Sequence, residues 1–121
     1  MSSQEKRAFL LLKSVIFHYH GLDEEEQELL NQAAIDLDAK EELAWANDFI
    51  AEDYYDAFDR ARKYLAKVMN ELPPARRLEH LNSVWSANMK KGYISEMEAM
   101  GIIKLAKDWQ VERELIATIR R

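Results

Sequence analysis

The chain has 121 residues, 48% hydrophobic and 32% charged, the size and balance of one folded domain rather than a disordered tract. It has no cysteine, which excludes disulfides, thiolate metal sites and thiol nucleophiles, and its three glycines and two prolines are too few for a β-sandwich or barrel. The net charge of −5 is unevenly spread: Asp23 to Asp59 holds 14 acidic residues against one basic, Lys40, which argues against nucleic acid as a ligand because that affinity rests on neutralising phosphate.

Apolar residues recur at steps of three and four nearly throughout, so the chain reads as all-α, a compact bundle of six or seven helices in a single domain over 1–121. In the first helix Phe9, Leu12, Ile16 and Tyr19 share a stripe, and Gly21 is placed to end it in a left-handed conformation. The second follows Asp23, whose carboxylate can accept the amide of Glu26 while Glu26 reaches back, and it carries Leu30 and Ala34. Asp38 and Glu41 repeat that spacing before a short third helix with Leu43, Trp45 and Ala46. A fourth is expected from about Asp53 to Leu72, with Tyr54, Phe58, Ala61, Leu65 and Val68 inward. Pro73-Pro74 breaks it and opens a fifth, with Leu81, Trp85 and Met89, that stops at Gly92. Ser95 with Glu98 opens the sixth, with Ile102, Leu105, Ala106 and Trp109, and a last short helix holds Leu115, Ile116 and Ile119. The core is expected to include Leu30, Ala34, Leu65, Trp85, Ile102 and Ala106. The longest uninterrupted apolar run, Ala8 to Leu12, is far short of a membrane span or a secretory leader, so a cytoplasmic address is expected.

Two stretches repeat. Gly21-Leu22-Asp23 with Glu26, followed by Leu29-Leu30 and Ala33-Ala34, matches Gly92-Tyr93-Ile94-Ser95 with Glu98, followed by Ile102-Ile103 and Leu105-Ala106, with one residue deleted in the first copy. Each copy is a glycine helix stop, a buried apolar residue, an N-cap and a capping glutamate. With these residues the chain resembles the TerB-like family of small all-helical domains, named for a tellurite-resistance protein. The resemblance covers essentially the whole chain through short motifs. It implies a helical accessory module in tellurite resistance or stress response. The family places an aspartate before each glycine; here His20 and Lys91 stand in those positions.

The residues offer little for catalysis. There is no phosphate loop, no Gly-x-Ser-x-Gly elbow, no His-Glu-x-x-His and no Glu-x-x-His. His18 and His20 point about 200° apart on a helix and cannot share a metal. The repeat does put Asp23, Glu26 and Glu98 in equivalent positions, and carboxylates with helix-end carbonyls suit a hard cation such as calcium or magnesium. A weak oxygen-only divalent-cation site is one reading of these three residues; helix capping alone is the other. Glu52, Asp56 and Asp59, spaced by four and three, are expected on one face of the fourth helix, either simply solvated or facing a basic partner.

Three functions compete. The first is a non-enzymatic binding module whose acidic surface takes a protein partner, a second copy of the chain or a cation, with no nucleic acid and no membrane span expected. The second is a carboxylate- or metal-dependent enzyme, which needs a concave pocket with perturbed acids. The third is a plain oligomeric helical scaffold.

Overall fold

The computed structural model describes residues 1–18, 23–89 and 94–120. Among the described residues there are seven α-helices and no strand. The chain divides into two compact units, Met1–Leu65 and Ala66–Arg121.

The first unit is built around α1 (Ser3–Phe17). Its N-cap, Ser2, accepts the Glu5 amide at 3.1 Å. Residues Ala8 to Leu12 and Ser14 to Phe17 are all buried, so the helix is apolar almost all round, as a central helix must be. It packs on α2 (Glu24–Asp36) and α3 (Lys40–Ala51), which also pack on each other. The unit ends within α4 (Ala57–Met69), whose Ala61 and Leu65 are fully buried. In the second unit α5 (Pro74–Met89), α6 (Glu96–Asp108) and α7 (Glu112–Ile119) pack pairwise around Leu81, Ile102, Leu105, Trp109 and Leu115.

Two of the three expected caps form. In α2 the Glu26 amide donates to Asp23 Oδ1 at 2.7 Å, and the Asp23 amide donates to Glu26 Oε1 at 3.3 Å. In α6 the Glu98 amide donates to Ser95 Oγ at 3.1 Å, and the Ser95 amide to Glu98 Oε1 at 3.0 Å. Each box satisfies two orphan donors of a helix start. Both glutamates are fully buried. The glycines Gly21 and Gly92, with His20 and Lys91, lie outside the described residues.

The repeat runs further than the motifs. Helices α2 and α6 each have 13 residues and start 72 positions apart. Both end in a residue of positive φ, Asp38 at 51° and Gln110 at 61°, again 72 apart. The Ala39 amide donates to the Ala34 carbonyl at 2.8 Å and that of Asp38 to Ile35 at 3.1 Å. In the second unit Val111 donates to Ala106 at 2.9 Å and Gln110 to Lys107 at 3.1 Å. Both are Schellman closures, and both plant a buried residue, Ala39 or Val111, as the start of the next helix.

Four expectations are corrected. Asp38 is no N-cap for α3: it holds the left-handed position that closes α2, and Ala39 precedes α3 without a side-chain cap. The fourth helix starts at Ala57, not Asp53, because Asp53 Oδ1 accepts the Tyr55 amide at 2.9 Å and turns the chain there. Tyr54 is therefore exposed instead of inward. Trp85 and Trp45 are only half-buried, whereas Trp109 is fully buried; spacing gives the face of a helix and not its depth.

One arginine joins helix ends in the second unit. Arg77 Nε donates to the Met69 carbonyl at 2.8 Å, Nη2 to Asn70 at 2.9 Å and Nη1 to Trp109 at 3.0 Å. A planar fork thus serves the ends of α4 and α6 together, which a lysine ammonium cannot reproduce. Arg77→Lys should cost about 1–3 kcal/mol in urea unfolding. A loss within experimental error would show that water replaces the fork without penalty.

Candidate functional site

The largest concentration of charge follows the helix pair α2–α3. The first unit carries seven basic and 15 acidic residues, a net −8; the second carries ten and seven, a net +3. Helix α2 begins Glu24-Glu25-Glu26 and α3 has Glu41 and Glu42 in its first turn, where the helix dipole favours anions.

Between α2 and α3 runs an open groove of about 390 Å³, lined by Asn31, Ala34 and Ile35 from α2 and by Lys40, Leu43, Ala44 and Asn47 from α3. Its floor is apolar, since Ala34 and Leu43 are buried. Ile35 is 56% exposed beside it, an apolar side chain that the unit itself leaves in solvent. Glu28, one turn before Asn31, and Glu41 and Asp48, one turn either side of Ala44, occupy adjoining positions and are exposed. The groove thus has an apolar base, polar walls at Asn31 and Asn47 and one charged lining residue, Lys40, with exposed acids at neighbouring positions of both helices. Sequence reading missed it. The available signal was Ile35, an apolar residue next to the buried stripe but outside it.

Glu52, Asp56 and Asp59 are all exposed, but they do not share a helix face. Glu52 is the C-cap of α3, Asp56 lies in the turn and Asp59 is in the first turn of α4. Two of them are gathered by Arg60, another residue the sequence reading passed over. Its Nε donates to Asp56 Oδ1 at 2.6 Å and its Nη1 lies 3.8 Å from Glu52 Oε2. The same guanidinium donates to the carbonyls of Phe49 at 2.9 Å and Asp53 at 2.7 Å, and sits 4.9 Å over the Phe49 ring. Phe49 belongs to a half-buried aromatic cluster with Trp45 and Tyr64, and Arg7 covers Trp45 at 5.4 Å. Burial raises the Tyr64 phenol above its ordinary range, with Arg7 opposing.

Asp23 and Glu26 belong to the first unit and Glu98 to the second; each carboxylate is engaged in its own capping box. Among the described residues no group of three or more potential ligands gathers as a metal site would require. No helix among them is long and apolar enough to cross a membrane. In comparisons with protein-family models, curated proteins and solved structures, nothing matches the chain.

His18 caps the C-terminus of α1, with its ring 6.0 Å from that of Tyr54. Burial pushes its pKa below the ordinary 6.5, and the Glu26 carboxylate opposes that shift less strongly. A depressed histidine pKa means the unfolded chain takes up the proton first. The stability His18 contributes is therefore complete above about pH 6.5 and is lost as pH falls through its folded value. Proton-detected titration should place the His18 midpoint below that of a denatured control. A midpoint at or above the control would mean Glu26 outweighs burial.

Proposed function

We propose that the protein is a non-enzymatic helical binding module of the TerB-like type, whose acidic first unit takes a basic protein surface. The observation that carries this reading is the separation of charge along the chain, −8 against +3, with an open apolar groove inside the acidic unit. The exposed acids of α2 and α3 steer a basic partner and orient it, while the apolar floor supplies the contact that holds it. The family assignment is supported by the paired capping boxes and by the equal helices that follow them. The replacement of the family's acid by His20 and Lys91 weighs against a cation role for the two turns. The cellular setting in this proposal, a cytoplasmic part in tellurite resistance or another stress response, follows from the resemblance alone.

The test uses a fluorescent, lysine-rich amphipathic helical peptide of about 20 residues as the probe. Anisotropy should report binding that weakens as salt rises from about 0.05 M to about 0.5 M, where exposed charges are screened at shorter range. The triple change Glu28→Gln, Glu41→Gln, Asp48→Asn should weaken binding on the order of tenfold, as three exposed charges worth a few tenths of a kcal/mol each would. The triple Glu52→Gln, Asp56→Asn, Asp59→Asn should have a smaller effect, because Arg60 already offsets two of those acids. Binding unchanged by either triple would leave the acids as a solvated surface only.

A further inference from the structure

The groove has a counterpart in the second unit. The outer face of α6, opposite its buried Ile102 and Leu105, presents Met97 and Met100, each 51% exposed, together with exposed Glu96, Lys104 and Lys107. Exposed methionines at a spacing of three form an adaptable apolar strip, since the unbranched thioether fits irregular surfaces. The charges along this face are the inverse of those along the groove. On α3 the order at four-residue steps is Lys40, Ala44, Asp48; on α6 it is Glu96, Met100, Lys104. Both triplets span two helical turns, about 12 Å. Laid parallel, Glu96 meets Lys40, Met100 meets Ala44 beside Ile35, and Lys104 meets Asp48. Laid antiparallel, Lys104 meets Lys40 and Glu96 meets Asp48, so like charges clash.

We infer that the groove between α2 and α3 receives the Met97/Met100 face of α6 from a second copy of the chain, in the parallel register. The inference rests on the reading of the first unit as a protein-binding surface. Groove and helix are different patches, so the contact is heterologous: a dimer keeps one free groove and one free helix face, and association continues past it. One helix on one groove is a small interface, below the roughly 1,200 Å² of stable complexes, so the association is weak and concentration-dependent.

Analytical ultracentrifugation from about 10 µM to about 1 mM at low salt should show a weight-average mass that climbs without a plateau at two copies, and that returns to the monomer at high salt. The variant Asp48→Lys should be monomeric, and so should Lys104→Glu, since each leaves a like-charge pair in the parallel and in the antiparallel register alike. Mixed together they should associate again, because each groove then faces a helix of inverse charge. Circular dichroism on each variant shows whether it is folded; the rescue by mixing separates lost complementarity from lost structure. A wild-type chain that stays monomeric throughout overturns the inference, and so does association that survives either reversal. A monomer that still binds the lysine-rich peptide removes self-docking and leaves the proposed function standing, whereas one that binds neither removes both.

Discussion

The helices of this chain are short, and the backbone groups released at their ends must be satisfied within a few residues. An α-helix leaves four amides and four carbonyls without internal partners at its two termini. Here the starts of α2 and α6 are closed by reciprocal side-chain boxes, and their ends by backbone Schellman bonds. The glutamates of the boxes are buried, so these are interior joints and not surface ornaments. Ala39 and Val111, planted by the Schellman turns, are themselves core residues, so chain direction and core formation are set in the same step.

That economy explains what could be read from the sequence and what could not. The boxes at Asp23 and Ser95 are local patterns, legible because the four residues involved are contiguous. Asp38 with Glu41 has the same spacing and a different fate, since its backbone is committed to ending α2 before it can start α3. The second copy held the warning: the corresponding residue is Gln110, which cannot cap. Helix α4, expected over Asp53 to Leu72, was drawn too long at both ends, and at its start the reason is an Asx turn at Asp53 that leaves no periodic trace. The groove was hidden for another reason. Periodicity identifies the face a helix buries, whereas a groove depends on the distance between two helices. Arginine forks are equally silent in a sequence, because Arg60 and Arg77 reach carbonyls, and every residue has one.

Charge in the first unit is arranged rather than merely abundant. Arg60 occupies the one place where the turn after α3 brings acids together, and it also spends donors on two backbone carbonyls. A guanidinium that is at once a cap, an ion-pair partner and a cover for Phe49 is held by several weak constraints, and none of them alone would fix it. The residues that line the groove include one cation, Lys40, and no acid. The acids near Arg60 are thus internally compensated, and those along α2 and α3 are the ones left to face outward.

The two left-handed residues also bear on how the protein can evolve. A side chain with a Cβ in that region costs about 1–2 kcal/mol, and glycine escapes the steric part while adding about 0.5–1 kcal/mol of chain entropy to the unfolded state. Asp38 and Gln110 therefore leave each joint short of its attainable stability, by up to about 1 kcal/mol. Natural proteins sit near a threshold, and most substitutions spend stability. A chain with two such positions keeps a latent reserve: a single change to glycine at either one can absorb a destabilising mutation elsewhere, without touching the groove, the capping boxes or the charge pattern.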